Sequence, residues 1–477
     1  MSEKYEAVIG LEVHAQLLTE SKMFCGCRNA YGAPPNTQMC PVCTGQPGTL
    51  PVINQFAVEL GVRAALAIKA EIHHESVFSR KNYFYPDLPK GYQISQYERP
   101  FCTRGKILIS LGDGSEKEIG ITRIHFEEDA GKNLHKGDHT QVDLNRAGVP
   151  LIEIVSEPDM RTAEEAGQYL RTLRTLLRYA NVTDGDMEKG NFRCDANISV
   201  RPRGQKEFGT KVELKNINSF RFVEKAVEYE IDRQIRAIEG GETIVQQTRG
   251  WNSAKNVSEV MREKEDAHDY RYFPEPDLAP LQISDKWIGE IKNELPELPD
   301  QKKSRFESSY GLSGYDAGVL TASRDLANYF EGVVDVCKDA KTSANWVMNE
   351  LLGRLNAVGK DIVETPVSAM ELANLISKVQ SGAISGKIGK TVFEEMFETG
   401  KTAESIIEAQ GLKQISDPSA LEPVVRKVME ANPGQVAGYK AGKVKLLGFF
   451  VGQVMKETKG QANPGLVNDI VKKLLDS

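Results

Sequence analysis

Two acidic stretches lie close together in this chain. One is His125-Phe126-Glu127-Glu128-Asp129-Ala130-Gly131-Lys132. The other, a dozen residues further on, is Asn145-Arg146-Ala147-Gly148-Val149-Pro150-Leu151-Ile152-Glu153-Ile154-Val155-Ser156-Glu157-Pro158-Asp159. Together they supply six carboxylates, the cationic Lys132 and Arg146, and Asn145. Carboxylates at that density repel one another unless a divalent cation or a cationic substrate sits among them. Mg²⁺ acting on phosphate is the simplest chemistry for such a set, since Mg²⁺ favours a few carboxylates plus water and phosphate oxygens. Glu12, His14, Glu127, Glu128 and Glu153 are the candidate acids and ligands. Arg123, Lys132, Arg146 and Lys211 are available to neutralise phosphate charge. The competing reading is a set of surface salt bridges.

These residues need a sheet to bring them together. In Ile121 to Glu127 the odd-numbered residues 123, 125 and 127 share one strand face. Glu12, His14 and Gln16 share one face, with Leu11, Val13, Ala15 and Leu17 on the other. Arg193 to Arg201 and Lys211 to Lys215 alternate in the same way. Side chains two apart on a strand lie roughly 6–7 Å apart, so neighbours on one face can reach one ion or one phosphate. Four such strands predict an antiparallel sheet with one side packed on helices and the other an open polar cradle. Thr162-Ala163-Glu164-Glu165 reads as a capping box. It opens a helix with apolar Ala166, Tyr169, Leu170, Leu173, Leu176 and Leu177 on one stripe. A second, highly charged helix is expected from Phe222 to Ile238.

At 477 residues the chain exceeds a single core. Near Glu294-Leu295-Pro296-Glu297-Leu298-Pro299-Asp300 the strand pattern ends and amphipathic helices take over, with a further break around Gly411 to Pro418. The expected class is α+β: an antiparallel-sheet cradle over 1–293, an all-α middle domain over 294–405 and a small all-α tail domain over 406–477. A composition of 40% hydrophobic and 27% charged residues is ordinary for a soluble protein. No apolar run approaches the roughly 20 residues a membrane span needs, and the N-terminus lacks a signal-peptide layout. A cytoplasmic protein is expected, with no membrane partner and reduced cysteines.

Cys25, Cys27, Cys40 and Cys43 fall within 19 residues, and the second pair has the spacing of zinc knuckles. A structural Zn²⁺ holding the loop 25–43 is favoured over reduced, unliganded thiols. A closed four-sulfur site leaves zinc no open position for catalysis. Cys102, Cys194 and Cys337 read as structural. The net charge of −7 argues against a general polyanion binder. From Gln435 to Ser477, however, seven lysines face three acids, a local balance of +4. Lys443, Lys445, Lys456 and Lys459 lie outside the apolar stripe of Leu447, Phe450, Val451 and Val454, and are the candidate RNA contacts. A solvated lysine-rich helix face is the plain alternative. Tyr270 to Asp277 reads equally as a stacking platform for a base or ribose and as a strand edge. No Walker-type loop, no dinucleotide-binding glycine motif and no hydrolase signature for releasing ammonia from an amide is present.

Ile9-Gly10-Leu11-Glu12-Val13-His14, Arg80 to Asp87 and Gly91 to Gln96 resemble the B-subunit family of the bacterial tRNA-dependent amidotransferases. So do Phe126 to Lys132, Asn145 to Asp159, Arg193 to Val200, Asp269 to Asp277 and Lys459 to Gly465. The resemblance runs from end to end. It implies a cradle similar to those of glutamine synthetase and the guanido kinases, and a tail domain that holds tRNA. It also implies partners: the amidase (the A subunit), the small C subunit, and mischarged Glu-tRNA(Gln) or Asp-tRNA(Asn). ATP would phosphorylate the aminoacyl carboxylate, and ammonia from the amidase would then displace phosphate. By this resemblance Mg²⁺ is assigned to His14, Glu127 and Glu153, with Glu12 and Glu128 as near neighbours and Arg146 and Lys211 as phosphate contacts. Some family members lack the four cysteines, so their presence here strengthens the zinc reading. Two other functions compete: a ligase joining a small carboxylate to an amine, and a tRNA-binding scaffold without kinase chemistry.

Overall fold

The structure, a computed structural model, describes residues 4–263, 270–412, 417–458 and 460–476. Asp269 and Lys459, named above, lie outside the described residues. The chain divides into two compact units, Met1–Leu298 and Pro299–Ser477.

The first unit is organised by a nine-stranded sheet. Its strands in chain order are β1 (Tyr5–Gln16), β2 (Glu71–Ile72), β3 (Cys102–Ser110), β4 (Glu116–Glu128), β5 (Pro150–Ser156), β6 (Phe192–Pro202), β7 (Val212–Ile217), β8 (Gln247–Asn252) and β9 (Val257–Glu263). Across the sheet the order is β9-β8-β7-β6-β1-β5-β4-β3-β2. All neighbours are antiparallel except β7 and β8, which pair in parallel through Glu213↔Thr248 and Lys215↔Gly250. The sheet is therefore larger than the four strands expected, and mixed. The parallel pair follows from the intervening helix, because a crossover carries the chain back to start the next strand in the same direction.

One face is apolar. Leu11, Val13 and Ala15 of β1, Ile152 and Ile154 of β5, Ile124 and Phe126 of β4, and Ala196 and Ile198 of β6 are all buried in a single core. Helices α1 (Gln55–Ala67), α2 (Ala163–Tyr179) and α3 (Phe220–Glu239) contribute buried side chains to that core. Gly61 lets α1 approach closely: a Cβ there would fall 2.3 Å from the Phe126 ring. The expected stripe of α2 is buried as a set. Thr162 caps this helix by accepting from the Glu165 N–H, but Glu165 accepts from the N–H of Arg161, one residue before the cap. A salt bridge to Lys117 also draws the Glu165 carboxylate, so the reciprocal half of the box is not made.

The described residues of the second unit form helices, beginning with Pro at the first position of Pro299–Tyr310, where its missing N–H costs nothing. They bury two separate apolar clusters, one from Phe306 to Ile407 and the other from Leu421 to Leu475. In the helix Leu446–Glu457, Phe450 and Val454 are buried, while Leu447 and Val451 pack at the edge of the same cluster. Among the described residues no helix is long and apolar enough to cross a membrane.

Candidate active site and cysteine centre

The polar face of the sheet collects the acidic residues through strand register. His14 on β1 lies opposite Glu153 on β5, and Glu153 lies opposite His125 on β4. His14 Nε2 is 3.3 Å from Glu153 Oε2. His125 Nε2 is 3.4 Å from that same oxygen and 3.4 Å from Glu127 Oε1. One donor atom each from His14, Glu127 and Glu153 lie within 4.8 Å of one another. Glu127 is only 2% exposed, yet it is well supplied with partners. Ser95 Oγ donates to Oε1 at 2.6 Å, Gln93 Nε2 donates to Oε2 at 3.2 Å, and Lys81 Nζ stands 3.8 Å away.

These contacts set the protonation of the cluster. Burial opposes ionisation of Glu127, but Lys81, and then His125 against the repulsion of Glu153, hold its carboxyl down to about 2. Burial likewise opposes charge on His125, yet the carboxylates of Glu153 and Glu127 push the imidazole up to about 9. Glu153 is held well below the usual carboxylate range: burial works against this, and His125 followed by His14 outweighs it. An imidazole and two ionised carboxylates at this spacing form a donor set suited to a divalent cation, with positions left for water and phosphate oxygens.

A second group adjoins it along β1. Glu12, Asp195 of β6 and Glu213 of β7 also offer oxygens within 4.8 Å of one another. Here an ammonium takes the cation's place: Lys215 Nζ is 2.5 Å from Asp195 and 3.1 Å from Glu213. Asn197 Nδ2 donates to Glu12 at 2.9 Å. Burial, then Glu153 and Asp195, raise the Glu12 carboxyl above its ordinary value.

The other candidates occupy different places. The Glu128 carboxylate is taken by Lys90 and by the Ile94 N–H. Arg146 donates from Nε to Ala130 O at 2.9 Å and from Nη2 to Gly131 O at 2.6 Å, and so clamps the turn after β4. Lys211 is exposed, just before β7. Among the described residues, Glu128 is not one of the donors that converge with His14, Glu127 and Glu153. His125, Lys81, Asp195, Glu213 and Lys215 were not singled out as site residues. All but Lys81 sit at period-two positions of strands already recognised, so the signal was present. Lys81 lies on the short strand Ser79–Asn82, which pairs with Tyr92–Ser95 and Phe273–Pro274. The segment around Phe273 is thus a strand edge, tied by Arg80 to Glu275 at 2.8 and 2.9 Å. Tyr272 is already stacked on Tyr97, with ring centroids 4.2 Å apart.

The four cysteine sulfurs of residues 25, 27, 40 and 43 lie within 4.8 Å of one another, none in a disulfide. Cys40 and Cys43 sulfurs are 3.9 Å apart. Tetrahedral zinc with Zn–S near 2.3 Å requires sulfurs about 3.8 Å apart, so the spacing fits. The fully buried Lys22 donates to Gln38 O at 2.6 Å and reaches Cys43 Sγ at 3.8 Å. A hydrogen bond from Cys25, outweighing burial and aided by Lys22, lowers the Cys43 thiol to about 5. Burial, followed by contact with Cys40, raises Cys27 to about 11. The exposed Lys443, Lys445 and Lys456 lie in and beside the helix Leu446–Glu457.

Residues 7–289 match the family model of the GatB/GatE catalytic domain, and residues 328–475 match that of the GatB domain. The chain belongs to the GatB/GatE family. It is 57% identical over 475 residues to the B subunit of the aspartyl/glutamyl-tRNA(Asn/Gln) amidotransferase of Thioalkalivibrio sulfidiphilus, covering 99% of this chain and 100% of that one. The corresponding B subunits of Nitrosococcus oceani (57% identical, the same coverage) and Persephonella marina (55% over 473 residues, 99% and 100%) are similarly close.

Proposed function

We propose that this chain is the ATP-dependent B subunit of a cytoplasmic, glutamine-dependent tRNA amidotransferase. It acts with the amidase and with the small C subunit on Glu-tRNA(Gln), Asp-tRNA(Asn) or both. The first unit is the kinase cradle, and the tail cluster after residue 406 holds the tRNA. The observation that carries this reading is the convergence of His14, Glu127 and Glu153 on the polar face of the sheet, in a chain of this family.

A carboxylate is a poor acyl donor because oxide would have to leave. In the first step a side-chain carboxylate oxygen of the aminoacyl group bonds to the γ-phosphorus of ATP, and ADP departs. In the second, ammonia attacks the acyl carbon and inorganic phosphate leaves, giving the amide. Neither step needs a protein nucleophile; both need positioning and charge stabilisation. His14, Glu127 and Glu153 would hold Mg²⁺, which supplies Lewis-acid neutralisation of phosphate oxygens. Lys81 and Lys215 place fixed positive charge at the two ends of the acidic row. The cysteine set suits a structural Zn²⁺.

The test is ATP hydrolysis by the chain purified with its partner proteins. Stimulation by Glu-tRNA(Gln) or Asp-tRNA(Asn) is the expected result. Stimulation by free glutamate instead would favour a small-molecule ligase, and no response to any addition would leave a tRNA-binding scaffold.

A further inference from the structure

The contacts of His125 are not explained by packing alone. It is 3% exposed, on β4 two residues before Glu127 and opposite Glu153 of β5. Its Nε2 touches both acids at 3.4 Å. Its Nδ1 is buried without a hydrogen-bond partner. A ring nitrogen left unpaired in a core is costly, so an apolar side chain would fill this position at less expense unless the other nitrogen has work to do.

His125 also does not belong among the converging donors. Those are His14, Glu127 and Glu153. The ring of His125 instead bridges their oxygens. Among the described residues, Glu153 has two side-chain partners, His14 and His125. Once His14 Nε2 turns to a cation it can no longer hold Glu153, and His125 alone is left to do so. Glu127 is different, since Ser95, Gln93 and Lys81 also fix it.

We infer that His125 is a positioning residue of the metal centre, whose Nε2 holds the Glu153 carboxylate, and secondarily that of Glu127, aimed at the cation held with His14. This rests on the reading of His14, Glu127 and Glu153 as the ligands of a divalent cation. Partners of this kind, behind the ligands themselves, commonly change metal affinity by about 10–100-fold.

The experiment is a Mn²⁺ titration followed by electron paramagnetic resonance on the full chain with its partner proteins. Wild type is compared with Glu153→Gln, His125→Phe and His125→Gln, after circular dichroism and melting confirm folding. The expected result is Mn²⁺ affinity about 10-fold or more weaker in His125→Phe and largely restored in His125→Gln, whose amide N–H can still donate. The Mg²⁺ concentration for half-maximal ATP turnover should rise by the same factor in His125→Phe, with turnover at saturating Mg²⁺ nearly unchanged. A purely structural role would lower the melting temperature without this split. If His125→Phe does not fold, His125→Asn, too short to reach the acids, takes its place with the same expectation. Wild-type affinity in the Phe or Asn variant, alongside loss in Glu153→Gln, would overturn the role of His125 and leave the metal reading standing. Equal weakening by Phe and Gln would also overturn it. Wild-type protein whose Mn²⁺ binding is indifferent to Glu153→Gln would overturn the metal reading itself.

Discussion

Glu153 carries the heaviest demands of any residue in the site, because it lies between two histidines and offers one oxygen to the same space as His14 and Glu127. Glu153→Gln keeps the shape and removes the charge. Amidation that requires ATP should fall by at least about 100-fold, the scale of losing one electrostatic group at a reacting centre, while tRNA affinity measured by filter binding stays put. Retained turnover would refute the assignment. The same cluster predicts how stability depends on pH when metal is chelated. His125 is raised from 6.5 to about 9, so its stabilisation is complete below 6.5 and lost as pH rises through 9. Glu127 is lowered from 4.5 to about 2, so its share is complete above 4.5 and lost as pH falls through 2. These are largely one interaction seen from its two partners, and they do not add. Calorimetry in EDTA should show melting temperature falling between pH 6.5 and 9, and a shallower fall in His125→Gln; equal slopes would contradict the cluster's charge pattern. At this scale the sequence was informative where period two operates. His14 and Glu127 fall on strand faces that alternation marks as polar, whereas the choice of His14, Glu127 and Glu153 as the Mg²⁺ set rests on the family resemblance. Glu128 and Arg146 are placed beside that set by the same resemblance; Glu128 accepts from the Ile94 N–H and Arg146 donates to the backbone after β4. No local pattern could join Lys81 to Glu127, 46 positions away.

Among the elements, the cysteine loop is the one whose neighbours matter most. Asn36 donates to Val142 O and accepts from the Leu144 N–H, and Gln38 N–H donates to Asn145 Oδ1. Lys22 reaches Leu144 O, and the Met23 N–H donates to Gly148 O. Gly148, at φ +84°, sits where a Cβ would come within 3.1 Å of Cys43 Cβ. The loop is therefore laced to the segment that enters β5, the strand carrying Glu153. Cys43→Ser should lower the bound zinc from about one per chain to near zero, a tetrahedral four-sulfur site tolerating the loss of a ligand poorly. Hydrogen exchange should then rise first over residues 25–50 and 142–149. A variant that keeps its zinc, or exchange that rises elsewhere first, would show that the loop does not depend on metal. The loop could be read from the chain because cysteine spacing is a local signal. The extent of the sheet could not. β2 has two residues, too few for any periodicity, and β8, Gln-Thr-Arg-Gly-Trp-Asn, shows no alternation. The Phe220–Glu239 helix between β7 and β8 was the available sign of a parallel crossover.

On the scale of the whole molecule, charge is distributed against the average. An acidic chain of net −7 carries a net charge of +4 over residues 435–477, so the charge that would favour RNA under the proposed function is concentrated there. The change from sheet to helix near residue 299 was legible because strand alternation stops and proline marks a helix start. Which lysines flank the last helices was legible too, since lysines excluded from an apolar stripe must face solvent. Lys443, Lys445 and Lys456 are exposed as that reasoning requires. Changing all three to Gln should weaken tRNA binding, most at low salt, and leave ATP hydrolysis without tRNA unaffected. Each lysine that neutralises a phosphate adds about 0.7–0.9 to the slope of log affinity against log salt, so the slope should become shallower by up to about two to three. An unchanged slope would mean that the lysines are only a solvated face. A shallower slope, combined with normal amidation at saturating tRNA, would separate holding the tRNA body from the chemistry proposed for its aminoacyl end at His14, Glu127 and Glu153.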